Sequence, residues 1–464
     1  MSFAGIRNCG VPAVLAVMIF TLLAPMAAMA SGGSAPYHVP VYAVVPFVLL
    51  LLCIAIMPLK FPHFWESNAK KGIVVAILSV PIVGFYLYQN DVHRLLEHLH
   101  EYLSFIVLLW SLYTISGGIV LRGNLKASPA VNTAFLGIGA LIANLFGTTG
   151  ASMLLIRPLL RTNQEREFKV HTVVFFIFVV SNIGGCLTPL GDPPLYMGFM
   201  RGVPFQWTLS LWPQWLLVNS LLLVIYYMWD RIRYRQEKAE NVAMDMTNAE
   251  PLRIDGKINI ALILGVVATI ALSGVLEMNP WLRDGILVAL GLLSMATTKK
   301  KYREDNEFNF GAITEVAVLF IGIFITMIPA LMMLSEAGPG LGVNHGWQYF
   351  WITGTLSSFL DNTPTYIVFL DLAQSTLGSS TIEAFMSHVE GPAILKAISL
   401  GAVFMGANTY IGNGPNFMVK AIAEAKGSSQ VKMPSFGGYM VYSMLILVPI
   451  FLLVTLLTFV LGIM

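Results

Sequence analysis

Charge is what this sequence has least of. Of its 464 residues only 11% are Asp, Glu, Lys or Arg, against roughly 25% in an average soluble domain, and that gap excludes an ordinary soluble enzyme. The few charges nearly cancel, to a formal +2. With no long basic stretch to track a phosphate backbone, nucleic acid is not an expected partner. Cysteine is equally scarce. Cys9, Cys53 and Cys186 stand apart with no C-x-x-C spacing, which argues against a disulfide framework, a zinc site and redox chemistry. No G-x-x-x-x-G-K-[ST] stretch occurs, so ATP is not expected to act through a fused motor, and ion gradients are left as the energy source. No catalytic residues and no cofactor are indicated.

Apolar residues fill the space instead. A helix needs about 20 of them to cross a bilayer of roughly 30 Å, and candidate spans lie near 41–57, 73–89, 103–121, 209–229, 258–275, 282–297, 313–334 and 437–462. Four further stretches, near 132–156, 171–199, 348–372 and 393–425, are apolar but interrupted by Gly, Pro, Thr and Asn. Ahead of all these, residues 1–30 run from Arg7 through an apolar middle to Ala28-Met29-Ala30. That order fits a cleavable secretory signal, with an uncleaved first membrane helix as the alternative.

Lys and Arg concentrate in cytoplasmic loops, and one threading collects nearly all of them. With 58–72 inside, the inner loops hold Lys70, Lys71, Arg122, Arg157, Arg161, Arg166, Arg231, Arg233, Arg235 and Lys299 to Lys301, among others, while Arg94, Arg201 and Arg283 stay outside. The condition is that 132–156 enters and leaves on the inner side and 348–372 on the outer side. Both then read as re-entrant hairpins, and non-helical backbone at that depth persists only where protein or a watery cavity satisfies it.

The hairpins suggest a repeat. Gly147-Thr148-Thr149-Gly150 stands against Asn362-Thr363-Pro364-Thr365 at an offset of 215, and Gly185, Thr188, Gly191 and Pro194 match Gly406, Thr409, Gly412 and Pro415 at 221. Inverted repeats with discontinuous helices meeting near the midplane are a recurring plan of secondary transporters. The expected fold is an all-α polytopic membrane protein of about 10–11 spans. A first half, 31–229, carries hairpin 132–156 and broken helix 171–199; a second, 258–464, carries hairpin 348–372 and broken helix 393–425. A polar cytoplasmic linker, 230–257, joins them, too short to form a nucleotide-binding domain.

The interruptions hold the candidate chemistry. A charged Asp at mid-bilayer costs roughly 2.5–3.5 kcal/mol on insertion scales, so Asp192 in Thr188-Pro-Leu-Gly-Asp-Pro-Pro194 is a cation-site candidate; the bland alternative is an N-cap for the half-helix that follows. Asp361, Asn362 and Thr363, at the tip of the second hairpin, offer the hard oxygens that Na⁺ prefers, or form an Asx turn that closes the hairpin. Asn182, Thr188, Thr148, Thr149, Asn408, Thr409, Asn413 and Asn416 place neutral polar groups at the same breaks. Asp371 falls at the hairpin's mouth. Trp207, Trp212 and Trp215 read as an interfacial belt.

At Ser181-Asn-Ile-Gly-Gly185, Thr188-Pro-Leu-Gly-Asp192 and Asp361-Asn-Thr-Pro364 the sequence resembles the ion transporter superfamily, and within it the NhaD-type sodium/proton antiporters and the related putative citrate transporters. The resemblance covers most of the chain from about residue 40. It implies a scaffold and a moving transport domain, often in a homodimer, in the bacterial inner membrane, with acidic site residues where Asp192 and Asp361 stand. Two departures matter. The paired Ser-Asn-Thr tips of the superfamily's carboxylate/sodium symporters are not found here, and Pro193-Pro194 replaces the small polar residues expected of an antiporter. The expectation is a secondary transporter exchanging Na⁺ for H⁺, with coupled transport of citrate or another small organic anion as the alternative and a passive channel as a third reading.

Overall fold

The structure, a computed structural model, describes residues 37–337, 340–425 and 430–464; the expected signal or first helix at 1–30 lies outside them. In chain order the longer elements begin with α1 (Val45–Lys60), α2 (Asn68–Tyr88), α3 (Val92–Ser116), β1 (Val120–Asn124), α4 (Pro129–Thr162), α5 (Val170–Val179), α6 (Pro193–Met200), α7 (Trp212–Tyr234), α8 (Ala239–Thr247) and β2 (Glu250–Asp255). They continue with α9 (Ile258–Val275), α10 (Pro280–Thr297), α11 (Gly311–Thr326), α12 (Ile328–Ala337), α13 (Gly346–Ser357), α14 (Asn362–Thr376), α15 (Gly391–Met405), α16 (Gly414–Glu424) and α17 (Phe436–Val454). Ten helical segments among the described residues are long and apolar enough to cross a membrane, and the strands amount to one two-stranded ribbon. This is an all-α polytopic membrane fold.

The chain divides into two compact units. One comprises the described residues up to Trp110 together with Phe308–Ala337. It packs Ile82 and Tyr86 of α2 against Ile328 of α12, and stacks Phe105 on Phe320 with ring centres 5.1 Å apart. Lys71, 3% exposed, reaches Glu315 at 2.7 Å, so the one charge buried on this face of α2 is paired.

The other unit comprises Ser111–Glu307 with the described residues from 340 on, and every interrupted stretch folds within it. Backbone that leaves the helix needs protein around it. Among the described spans the two with broken helices are the most enclosed: 89% of the positions in 170–187 and 83% of those in 391–408 are buried, against 22% in 41–58. Helix α4 starts behind Ser128, whose hydroxyl accepts the Val131 N–H, and breaks at Gly147, where φ is 73° and ψ is 154°; a side chain at this left-handed position would be strained. The second hairpin breaks between α13 and α14.

The 230–257 segment is more structured than a plain linker. Helix α7 continues to Tyr234, α8 follows, and β2 pairs antiparallel with β1, Val120 opposite Asp255 and Arg122 opposite Arg253. The apolar span expected at 103–121 includes the start of β1. Helix α3 instead ends at Ser116, before Gly117-Gly118, and the backbone groups that follow find partners in the ribbon. The Arg122 guanidinium, 2.7 Å from Asp255, holds that carboxyl below its usual range.

A buried polar cluster ties four segments together near the same end. Asp230 of α7, fully buried, accepts from Arg166 at 2.7 Å and lies 2.8 Å from Nε2 of His171 at the start of α5. Asn132 of α4 lies 3.5 Å from its other oxygen. The His171 ring stacks on Trp229. Buried charges persist when paired and hydrogen-bonded, and Asp230 has both kinds of partner.

Candidate functional site

Two discontinuous helices frame the site, and they break in the same way. Helix α5 gives way to a tight turn at Ile183–Leu187 before α6 begins; α15 gives way to one at Gly406–Asn408 before α16. Thr188 leaves the first turn at φ −137°, ψ 156° and Thr409 leaves the second at φ −136°, ψ 166°. Asp192 precedes α6 at φ −140°, ψ 141° and Asn413 precedes α16 at φ −149°, ψ 141°. The sequence offset of 221 therefore recurs as matching backbone. Both loops also close on glycine: a Cβ on Gly191 would stand 2.0 Å from the Gly185 oxygen, and one on Gly412 would stand 2.5 Å from the Gly406 oxygen.

Each loop leans on the hairpin that precedes it. Asn144 of α4 donates to the Gly184 oxygen at 2.7 Å and accepts the Leu187 N–H at 2.8 Å, while the Thr188 hydroxyl donates to the Asn144 carbonyl. In the second loop the Thr409 hydroxyl donates to the Ser358 carbonyl, and Asn408 donates to the Ser358 hydroxyl at 2.9 Å.

Asp192 is the centre of the arrangement. It occupies the N-cap position of α6, yet its side chain makes no capping hydrogen bond, and Pro193 and Pro194 supply no N–H at the first two helical positions. The carboxylate turns elsewhere. One oxygen accepts from the Thr148 hydroxyl at 2.7 Å and from Asn413 Nδ2 at 3.2 Å; the other accepts from Asn362 Nδ2 at 2.9 Å. The donors come from the first hairpin, the second broken helix and the second hairpin respectively. Asp192 is 0% exposed, and among the described residues no Lys, Arg or His hydrogen-bonds to it or to these three donors. Desolvating a carboxylate costs several kcal/mol, and neutral donors offset only part of that. A bound proton or metal cation would supply the missing charge.

The other expected residues fall around this centre. Asn182 donates to the Asn416 side chain at 2.7 Å and accepts from Asn413 at 3.2 Å, so three amides carry the network from the first broken helix to the second. Asn416 in turn donates to the Gly406 and Thr409 carbonyls at 2.8 and 2.9 Å. Thr149 sits half-buried beside Thr148. Asp361 behaves as a cap: it accepts the Thr363 N–H at 3.1 Å at the start of α14, and its neighbour Asn362, rather than Asp361 itself, donates to Asp192. Asp371 pairs with Arg201. Trp215, expected in an interfacial belt, instead donates its indole N–H to the Gly184 oxygen at 2.9 Å, bracing the break. Sequence reading passed over Asn144, Ser357 and Ser358, which look like ordinary small polar residues inside helices. Their one signal is position, each a few residues ahead of a hairpin tip.

Comparison with known proteins agrees with this architecture. The profile of a family described as putative citrate transport, in the ion transporter superfamily, matches residues 36–459. Uncharacterized transporters of Mycobacterium bovis and Mycobacterium tuberculosis are each 26% identical to this chain over 321 residues, covering 65% of it and 71% of the relative.

Proposed function

The chain belongs to the putative citrate transport family, and from that premise we propose that this integral membrane transporter is a secondary active one whose coupling cation binds at Asp192. The observation that carries the proposal is the fully buried Asp192 carboxylate, met by Thr148, Asn362 and Asn413 and, among the described residues, by no cationic side chain. In the favoured reading the protein exchanges Na⁺ for H⁺ across the bacterial inner membrane. Asp192 is occupied by one ion or the other and never both, so a site that faces each side in turn couples the two fluxes. Hydroxyl and amide oxygens of Thr148, Thr188, Asn362, Thr363 and Asn413 complete the coordination of Na⁺, with Asp361 adding a second carboxylate at the hairpin tip.

The matching backbone at Thr188 and Thr409 and at Asp192 and Asn413 supports two halves of like construction, which in this reading are oppositely inserted and present the site alternately. A homodimer would give the scaffold a fixed footing in the bilayer.

A second reading is cation-coupled uptake of citrate or a related organic anion, favoured by the family's description. It needs an anion clamp, and the N-termini of α6 and α16 with the nearby amides would supply a dipolar one, although among the described residues no Arg or Lys hydrogen-bonds to Asp192 or to its three donors. Everted vesicles with a dye reporting ΔpH, titrated with Na⁺, Li⁺, K⁺ and citrate, separate the readings. Exchange predicts collapse of ΔpH on adding Na⁺, abolished by Asp192→Asn. Collapse by Na⁺ that survives the substitution overturns the assignment, and radiolabelled citrate uptake driven by a Na⁺ gradient would favour the second reading.

A further inference from the structure

Helices α6 and α14 are fastened to each other at two places, and the site is only one of them. Asp192 stands immediately before α6 and Asn362 opens α14, joined at 2.9 Å. Nine residues further along each chain come Arg201 and Asp371, and the guanidinium donates to the carboxylate. Between these points the Tyr366 hydroxyl lies so close to Gly198 that a Cβ there would stand 2.3 Å from it. The two helices thus run in parallel register over roughly 13 Å, at 1.5 Å per residue. The ion pair is largely withdrawn from solvent, with side-chain exposures of 13% and 19%, so screening weakens it little.

Helix α6 has reason to need an anchor. It has eight residues, two of the first being prolines without N–H, and no side-chain cap. A helix this short is marginal by itself. At the Asp192 end it is held by hydrogen bonds from neutral donors that a bound cation would have to rearrange. The Arg201 end offers a charge-assisted contact that does not involve the transported ion.

We propose that Arg201 and Asp371 form a positioning pair, which holds α6 and α14 in register so that Asn362 stays on Asp192 and thereby sets the affinity of the site for its coupling cation. The proposal rests on the reading of Asp192 as the cation site. Because a ligand that binds the folded state raises the unfolding midpoint, Na⁺ titration of thermal unfolding in purified full-length protein reads the affinity directly, and vesicle flux supplies the maximal rate. Arg201→Gln and Asp371→Asn should each raise the Na⁺ half-saturation about tenfold, the equivalent of 1.4 kcal/mol, with the maximal rate little changed. The exchanged pair Arg201→Asp with Asp371→Arg should return it close to wild type. Unchanged half-saturation in the single variants, or an exchanged pair as weak as they are, overturns the proposal. If a neutralised variant fails to fold, Arg201→Lys, which keeps the charge and loses the planar fork, is read in its place: a raised half-saturation supports the pair and an unchanged one contradicts it. Asp192→Asn separates the two ideas, since a Na⁺ response that persists in that variant removes the cation site itself rather than the positioning pair.

Discussion

Asp192 and Asp230 are equally withdrawn from solvent, both 0% exposed, yet their surroundings are opposite. Asp230 has a resident cation in Arg166 at 2.7 Å and His171 at 2.8 Å, and it binds α4, α5 and α7 into one polar knot. Among the described residues Asp192 has only a hydroxyl and two amides as side-chain partners. A carboxylate with its countercharge built in is structure. One with no countercharge beside it among the described residues is, in the proposed function, a place for an ion to come and go, and Asp192 stands where two broken helices and two hairpin tips converge.

The largest test of this contrast is Asp192→Asn. It should reduce cation-coupled transport to the vesicle background while the protein still accumulates in the membrane, measured by dye-reported ΔpH against abundance on a blot. Asp230→Asn should do the reverse. It takes the nearer of two carboxylates from buried Arg166, which keeps Glu237 at 3.4 Å, at a cost of about 1–3 kcal/mol, seen as a lowered unfolding midpoint and lower abundance, while the cation half-saturation of the surviving protein stays at the wild-type value.

Three smaller changes sharpen the same comparison. Thr148→Val and Asn413→Ala each remove a polar ligand from Asp192, and each should raise the Na⁺ half-saturation about tenfold, as the loss of one hydrogen bond to a charged group of about 1.5 kcal/mol would. His171→Asn removes the lesser partner of Asp230 and leaves Arg166 in place. It should cost about 1 kcal/mol of stability and leave Na⁺ half-saturation unchanged by the same titration. A shift in half-saturation from either Asp230 or His171 would erase the distinction between the two carboxylates.

The architecture was legible in the sequence because its signals are local. Apolar runs long enough to cross a bilayer stand out one by one, and so do Gly, Pro and Asn where a run breaks. Asp192 is conspicuous as a lone acid in an apolar frame. What joins the breaks into a site is long-range, and no spacing announces it: Asn362 reaches Asp192 across 170 residues and Asn182 reaches Asn416 across 234. The same limit hid the Asp230 knot, whose members are scattered over α4, the loop after it, α5 and α7. Asp361 shows the converse. Two roles were visible for a carboxylate at a hairpin tip, and only the structure displays the cap it makes on Thr363. The β1–β2 ribbon was concealed by its own composition, since Ile119, Val120 and Leu121 resume the apolar run of α3 just past Gly117-Gly118.

In the proposed function Na⁺ and H⁺ compete for the Asp192 carboxylate, whose hydrogen-bond partners among the described residues are all neutral. Calorimetric titration of Na⁺ into the purified protein, repeated in buffers of different ionisation enthalpy, counts the protons displaced. Release of a proton with each Na⁺ bound by wild type, and no Na⁺ binding by Asp192→Asn, is the predicted result; Na⁺ binding that displaces no proton, or that survives the substitution, would contradict it.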